Sequence, residues 1–294
     1  MSVVVDAHVH LWDPAVRTYP WMDQSVAPLQ RAFSVDDLRA AMPDEVAGAI
    51  VVQAVSDLGE TESLLDLAAA SDTIIGVVGW VDLREPDVAE TLADLRALPG
   101  GDKLVGIRHQ VQDEDDSNWL MREDVRRGLA AVGACGLPYD LLVRTRELPA
   151  AIDAVCALPD VRFILDHAAK PPIATGEMEP WSTLLGELAG APNVSCKLSG
   201  LVTEATWGAW SPDQIIPYAR RVLEAFGPQR VLFGSDWPVA LLAGSYAQVL
   251  ALAREACAYL SADEHDAVFR ANALRCYAVA GRSSVLSHSS TPEM

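Results

Sequence analysis

VVDAHVH, residues 4–10, is an apolar run that ends in two histidines separated by one residue. Successive side chains of a β-strand point to opposite faces, so His8 and His10 are expected on the same face. Two imidazoles on one face at the end of a buried strand can hold a metal ion or polarise a carbonyl group. They can also be two histidines that lie close by chance, so the pattern needs support from the rest of the chain.

Short apolar runs of this kind recur along the chain. They are too hydrophobic for sheets with one solvated face, and they suit parallel strands that are buried on both faces. We predict eight strands: Val3–His8, Ala47–Gln53, Ile74–Val81, Leu104–His109, Pro138–Val143, Val161–His167, Asn193–Ser199 and Arg230–Ser235.

Amphipathic helical patterns separate the strands. Asp87 to Leu98 has its apolar residues on one stripe, with Asp87 and Glu90 as a predicted capping pair, and a last helix is predicted to open at Ser261 with Glu264 three residues on. Eight alternating strands and helices within about 250 residues predict a (β/α)8 barrel. The rival architecture, a doubly wound sheet, lacks a glycine-rich dinucleotide turn after the first strand.

The barrel is predicted to be a single domain over residues 1–280. The polar segment 281–294 is predicted to be a disordered tail. A long loop, Asp13–Phe33, follows the first strand on the face where barrel active sites lie, and it is either a lid or a packed surface loop.

Composition limits the partners of the chain. With 22 Lys and Arg against 41 Asp and Glu, the 294 residues carry a net charge of -19, which would repel nucleic acid and anionic membrane surfaces. No apolar run approaches the roughly 18 residues of a transmembrane helix, and no signal peptide is evident. The five scattered cysteines are typical of reduced thiols in a cytoplasmic protein.

Histidines cluster at the predicted strand ends. Four of the six follow a strand, at the rim where barrels place catalytic groups: His8, His10, His109 and His167. The other two, His265 and His288, fall in the last predicted helix and in the tail, and we expect neither to belong to a site.

Alternation along the sixth and eighth strands assigns two further groups. If Phe163 and Leu165 face the barrel interior, so does His167, and Asp166 takes a structural role on the opposite face. Asp236 follows the last strand opposite the first two histidines. It can act as a general base for water, as a metal ligand, or simply as a helix N-cap.

Polar side chains follow other predicted strands. Alternation turns Lys197 inward, where it could hold a substrate carbonyl or hydroxyl, pair with Asp236, or form a structural ion pair. Only one of Arg108 and His109 can face inward, and the periodicity leaves the choice open. Other residues at strand ends either pack in loops or bind a polyhydroxylated ring: Gln53, Trp80, Arg144, Lys170, Trp207 and Trp237.

Four motifs together resemble the amidohydrolase superfamily, and within it the group of sugar lactonases and pyrone-dicarboxylate lactonases (amidohydrolase 2). They are His8-Val9-His10, Leu165-Asp166-His167, Lys197-Leu198-Ser199-Gly200 and Phe233-Gly234-Ser235-Asp236-Trp237-Pro238. Three further stretches are similar to the L-fucono- and L-rhamnono-lactonase branch: Tyr19-Pro20-Trp21, residues 106–114 and Asn272-Ala273. The resemblance extends over residues 3–280.

The resemblance implies a barrel that hydrolyses a small lactone, with Asp236 as the base that deprotonates water. His8, His10 and His167 would polarise the lactone carbonyl, directly or through a metal ion. The resemblance assigns the positioning of substrate to Lys197 and His109, and the strand-end positions add four candidate substrate-binding residues: Arg108, Gln53, Trp80 and Trp237. Binuclear members carry a carboxylated lysine and further histidines that this chain lacks, so we expect one divalent metal, zinc first, or none. Its ligands would come from His8, His10, His167 and Asp236.

Two other functions remain open at this point. A metal-dependent decarboxylase of aromatic or muconate-type acids would share the histidines and the final aspartate, and it would also need arginines that bind an anion. A barrel that binds a ligand without catalysis is the alternative of a different class. Because few arginines face inward while Gln53, Trp80, Trp207 and Trp237 suit a sugar, a sugar-derived lactone is favoured. The sequence determines neither which lactone nor the oligomeric state.

Overall fold

Eight parallel strands pair in chain order in the computed structural model, which describes residues 3–279. The strands return to their start, because the Asp236 N–H donates to His8 O (2.9 Å) and the His10 N–H donates to Trp237 O (2.7 Å). The predicted (β/α)8 barrel is confirmed, and the predicted tail 281–294 lies outside the described residues. The strands are β1 Val4–Val9, β2 Val46–Val52, β3 Ile74–Gly79, β4 Leu104–His109, β5 Tyr139–Leu141, β6 Phe163–Leu165, β7 Val194–Leu198 and β8 Val231–Phe233.

Helices surround the strands. They are α1 Val35–Ala41, α2 Leu58–Ala69, α3 Val88–Ala97, α4 Glu123–Ala134, α5 Leu148–Ala157, α6 Trp181–Ala189, α7 Pro212–Phe226, α8 Tyr246–Ala256, α9 Ala262–Asp266 and α10 Asn272–Cys276. The predicted capping box of Ser261 and Glu264 is present at α9. The capping pair predicted at α3 is wrong, because the Asp87 side chain makes no cap hydrogen bond. Across residues 3–279, none of the helices has the length and apolarity to cross a membrane.

The core has two layers. The outer one packs the outward side chains of the strands against the helices, and the inner one fills the barrel with Val5, Ala7, Ile50, Ile164 and Leu232 among others. Phe163 and Leu165 belong to the outer layer, so the predicted facing of β6 is wrong. Both faces of a buried parallel strand are apolar, and the pattern therefore does not mark which face is inward.

The loop after β1 is packed and does not stand free. Trp12 contacts Tyr19, Trp21 and Phe33 edge-on or tilted, with ring centroids 5.4–6.2 Å apart. The Trp21 Nε1–H donates to Ala54 O at 2.7 Å, which ties the loop to the end of β2. The Asp13–Phe33 loop is therefore packed in this structure, and its role as a lid stays a prediction.

A buried carboxyl group shapes the turn after β2. Glu60 lies in the first turn of α2 with 2% of its surface exposed, and its Oε2 accepts the N–H groups of Ala54 (2.8 Å) and Val55 (3.0 Å). Burial raises the pKa of Glu60 to about 7, although both N–H groups act in the opposite direction. The folded state therefore holds a proton here that the unfolded chain releases near its ordinary pKa.

We predict that Glu60→Gln gains stability relative to the wild type as the pH rises from about 5 to about 8. The pKa of Glu60 is raised in the folded state, so protonation of this side chain stabilises the folded wild type at low pH. As the pH rises from the unfolded pKa to above the folded pKa, the wild type loses about 2–3 kcal/mol of its free energy of unfolding. Urea unfolding at both pH values measures the difference. Glu62→Gln, an exposed change in the same helix, is the control. A difference that does not depend on pH would contradict the buried-acid account.

Candidate active site

The two histidines of β1 lie side by side at the mouth of the barrel. Between Asp6 and Val9, β1 advances three residues while β2 advances two, from Ala49 to Val51, and this bulge re-aims the side chains that follow it. The Nε2 atoms of His8 and His10 are 3.1 Å apart. The bulge thus directs both imidazole rings into the mouth of the barrel, where their Nε2 atoms meet.

Hydrogen bonds fix the orientation of these rings. His10 Nδ1 lies 2.7 Å from Val52 O, so Nδ1 carries the proton and the Nε2 lone pair is directed into the site. His8 Nδ1 lies 3.0 Å from Lys197 Nζ and 3.5 Å from Asp166 Oδ1, below the mouth. Both rings therefore turn Nε2 toward the same point.

His167 reaches the site through an unusual turn. His167, Ala168, Ala169 and Lys170 all have positive φ angles of 50–59°, a left-handed conformation that L-residues adopt at an energetic cost. Regular alternation from the outward-facing Phe163 and Leu165 would turn His167 outward, and the left-handed turn instead places it in the mouth of the barrel. Gly200 makes room, because a Cβ there would lie 2.5 Å from His167 Nδ1.

The carboxylate of Asp236 faces all three histidines. Its Oδ1 is 3.5 Å from His10 Nε2, 3.8 Å from His8 Nε2 and 3.9 Å from His167 Nε2. Asp236 itself has a φ of 58°, which bends the chain at the end of β8. The four groups that the sequence assigned to catalysis are thus brought together, from β1 and from the turns after β6 and β8.

The local environment keeps the Asp236 carboxylate ionised and the three histidines neutral at neutral pH. Burial acts to raise the pKa of Asp236, but His167 and His10 outweigh it, and the pKa lies below its usual value. Burial lowers the pKa of His8 and His10, and it lowers that of His167 to about 4. An ionised carboxylate among neutral imidazoles can accept a proton or hold a cation.

Two groups of side chains have the spacing for a metal ion. In each, the ligand atoms lie within 4.8 Å of one another: His8, His10 and Asp236 in the first, and His8, Asp166 and His167 in the second. In the second, Asp166 already contacts Lys197 Nζ and Arg108 Nη1, each at 2.9 Å. The first group has nitrogen and oxygen donors, and among residues 3–279 no lysine or arginine lies within 4 Å of its carboxylate, although Arg108 Nη1 is 3.4 Å from His8 Nε2. This donor set suits one divalent ion.

A buried network of charges lies directly below. Lys197 Nζ is 2.6 Å from Asp140 Oδ2, which also accepts the Tyr277 hydroxyl at 2.6 Å. Burial raises the pKa of Asp140 to about 6, with Lys197 opposing the shift. Sequence reasoning missed Asp140, although an aspartate inside a predicted buried strand signals a need for a cation.

The structure distributes the six predicted substrate-binding residues unequally. Arg108 faces inward and lines the cavity above the site, with one side of its guanidinium held by Asp166 and the other by Gln53. Lys197 is fully buried and forms ion pairs with Asp140 and Asp166. Of the roles considered for this residue, its contacts in the structure are those of a structural ion pair. Among residues 3–279, five of the six are absent from the cavity wall: Lys197, His109, Gln53, Trp80 and Trp237.

His109, Trp80 and Trp237 take part in packing. His109 Nδ1 accepts the Trp80 Nε1–H (2.9 Å), its Nε2–H donates to Glu114 (2.7 Å), and its ring stacks on Trp119. This bond closes the turn of residues 109–114, which carries Gln110 and Gln112 to the cavity. Trp237 packs edge-on against Phe33, with centroids 5.4 Å apart.

The cavity has a volume of about 350 Å³ and two kinds of wall. Its apolar wall comprises Trp21, Val26, Ala54, Leu142, Val239 and Leu242, and Trp207 lies at the edge. Its polar wall comprises Arg108, Gln110, Gln112, Asp113, Arg144, Lys170, Thr203 and Glu204, above His10, His167 and Asp236. Most of these residues lie in loops beyond the strand ends. Sequence reasoning missed Glu204, which no periodic pattern marks.

The chain matches known proteins over nearly its whole length. The family model described as amidohydrolase matches residues 5–279. An L-fucono-1,5-lactonase of Burkholderia multivorans is 43% identical over 288 residues, which is 94% of this chain and 96% of the relative. An L-fucono-1,5-lactonase of Burkholderia ambifaria is 38% identical over 286 residues, which is 95% of this chain and 97% of that relative.

A solved amidohydrolase from Burkholderia multivorans has the same architecture. It superposes with a TM-score of 0.89 in a crystal form with bound HEPES and 0.87 in a form with bound zinc. Sequence identity is 40% in both, over 94% of this chain and 99% of that chain.

We predict that Lys197→Met destabilises the protein by about 3–5 kcal/mol, because Asp140 and Asp166 would lose their shared cation in a dry interior. Urea unfolding followed by circular dichroism measures the loss. Tyr277→Phe, which removes one neutral donor from Asp140, is the control and should cost about 1 kcal/mol. Adding Asp140→Asn to Lys197→Met should restore part of the loss. A single Lys197→Met variant as stable as the wild type would show that the network contributes little.

Proposed function

The chain belongs to the amidohydrolase family and is a lactonase, and on this basis we propose that it opens the 1,5-lactone of a deoxy sugar acid with Asp236 as general base. The observation that carries the proposal is the ionised Asp236 carboxylate, 3.5–3.9 Å from three neutral imidazoles at the floor of a cavity of about 350 Å³. A cavity of this size holds one monosaccharide ring.

Asp236 is assigned both proton transfers. It takes a proton from water as the water oxygen forms a bond to the lactone carbonyl carbon. When the tetrahedral intermediate collapses, the bond between that carbon and the ring oxygen breaks, and Asp236 returns the proton to the leaving oxygen. The product is the open hydroxy acid, and the carboxylate is ready for another cycle.

His167 is assigned to the carbonyl oxygen. Its Nδ1 lies 2.9 Å from Ser199 Oγ, and if the hydroxyl donates to Nδ1, the ring proton is on Nε2, directed at the reacting centre. A neutral imidazole can then donate a hydrogen bond to the developing oxyanion. This hydrogen bond is worth more in the transition state than in the ground state, because negative charge accumulates on that oxygen as water attacks.

His8, His10 and Asp236 are the residues that would hold a divalent metal ion, zinc first. Such an ion would supply Lewis-acid polarisation of the carbonyl and lower the pKa of water. His8 is fully buried beneath His10, which suits a ligand or an orienting group better than a direct contact with substrate. The bond from His10 Nδ1 to Val52 O is the kind of outer contact that orients a metal-binding imidazole.

The two walls of the cavity suit a deoxy sugar. The polar wall offers donors and acceptors to ring hydroxyls, and the apolar wall of Trp21, Val26, Val239 and Leu242 offers a surface to a methyl group. The relatives at 43% and 38% identity are named for L-fucono-1,5-lactone, whose acid is a 6-deoxy sugar acid. We therefore place L-fucono-1,5-lactone and its stereochemical neighbours first among the substrates.

We predict that Asp236→Asn lowers kcat by about 10²–10⁴, the range expected for loss of a general base, while the fold is retained. Acid release in a pH-indicator assay measures the rate, and circular dichroism checks the fold. His265→Ala serves as the control, since His265 stacks on Phe269 and is absent from the wall of the cavity described above. Turnover by Asp236→Asn within a few-fold of the wild type would remove Asp236 from the mechanism.

We predict that a pH-indicator screen finds acid release from L-fucono-1,5-lactone and related aldono-lactones, and little from 2-pyrone-4,6-dicarboxylate. Metal content is measured on the same protein. One zinc per chain, lost in His10→Ala, would support the metal assignment, and full activity without bound metal would assign the carbonyl to the histidines alone. Acid release from the dicarboxylate and none from sugar lactones would overturn the proposed substrate.

A further inference from the structure

Glu204 lies between two cations in the polar wall of the cavity. Its Oε2 is 3.9 Å from Arg144 Nη1, and its Oε1 is 4.0 Å from Lys170 Nζ. The three residues come from the loops that follow β7, β5 and β6, so three successive loops converge on one carboxylate. The side chains of Glu204 and Lys170 are 17% and 18% exposed, so these two groups face the cavity and are little open to bulk solvent, whereas Arg144 is 52% exposed at its rim.

These three groups keep their hydrogen-bonding capacity free for a ligand. Both separations exceed hydrogen-bond length, and within residues 3–279 no hydrogen bond from another side chain or from the backbone reaches the Glu204 carboxylate. A sugar hydroxyl is a donor and an acceptor at once, so it can donate to Glu204 while it accepts from Lys170 or Arg144. A carboxylate group offers only acceptors and carries the same charge as Glu204.

Arg108 differs from the other two cations of the wall. Its guanidinium is bound by Asp166 at 2.9 Å, so its charge is already compensated from below. Arg144 and Lys170 depend on Glu204 for a carboxylate within 4 Å, as far as the described residues show. Without the charge of Glu204, the wall would present two cations with no near counter-charge, the arrangement that binds carboxylates.

We propose that Glu204 is the specificity-determining residue that selects neutral, hydroxylated lactones and excludes lactones that carry a carboxylate. The inference rests on the proposed function and adds the physical basis of its selectivity. Glu204 accepts hydrogen bonds from ring hydroxyls and compensates Arg144 and Lys170. A carboxylated lactone meets a like charge instead, and like charges placed side by side weaken binding strongly.

The test compares two substrates that differ at one carbon. One is an aldono-lactone, and the other is the aldaro-lactone of the same ring configuration, in which a carboxylate replaces the terminal hydroxymethyl group. Because the terminal group is polar in both, it is expected at the polar wall with Glu204, and not at the apolar wall that is assigned to the methyl group of a 6-deoxy sugar. The wild type should prefer the aldono-lactone. In Glu204→Gln, which keeps the shape and removes the charge, the ratio of kcat/KM should shift toward the aldaro-lactone by about tenfold or more, chiefly through KM.

Two further variants separate the local pairing from net charge. Glu187→Gln removes one negative charge from the exposed face of α6 and should leave the ratio unchanged. Adding Arg144→Met to Glu204→Gln removes one of the released cations and should reverse much of the shift.

An unchanged ratio in Glu204→Gln, an equal shift in Glu187→Gln, or a wild type without preference between the two lactones would overturn the proposal. Failure of the proposed function is a separate result, since the wild type would then release no acid from the aldono-lactone.

Discussion

The ammonium group of Lys197, buried between two carboxylates, is the constraint on which the rest of the site depends. A charge in a dry interior is tolerated only with close partners, and here Asp140 and Asp166 provide them at 2.6 and 2.9 Å. Asp166 in turn holds Arg108, so one network joins β4, β5 and β7 to the turn after β6. His8 rests on the same ammonium group, and the floor of the cavity is therefore positioned by ion pairs beneath it.

The barrel could be predicted because it depends on local regularities. Apolar runs of strand length, separated by amphipathic helices, are properties of neighbouring residues, and all eight strands were placed correctly. The facing of β6 could not be predicted, since Phe163, Ile164 and Leu165 are all apolar. His167 reaches the mouth through a left-handed turn that no propensity indicates for His-Ala-Ala-Lys. Asp140 and Lys197 are 57 residues apart, and only the closed sheet makes them partners.

Position at a strand end predicted the residues at the floor of the cavity better than the residues of its walls. His10, His167 and Asp236 lie at the floor of the cavity, where strand ends of a barrel converge. Trp80 and His109 occupy equivalent positions and form a scaffold, which holds the loop that carries Gln110 and Gln112. The walls come from residues further along the loops, whose paths depend on tertiary contacts. For this reason the sequence did not indicate Glu204, and it left Arg144 and Lys170 among residues that either pack in loops or bind a ligand.

The four left-handed residues from His167 to Lys170 also affect how the protein can evolve. Each non-glycine residue in this conformation costs about 1–2 kcal/mol, so the segment lowers the free energy of unfolding, and contacts elsewhere in the fold must compensate. Glycine at Ala168 or Ala169 would remove that cost and raise the free energy of unfolding. It would also let the turn that orients the His167 imidazole adopt other conformations. Selection for heat resistance and selection for turnover therefore pull these two positions in opposite directions, and a stabilised lineage is expected to find its improvements elsewhere.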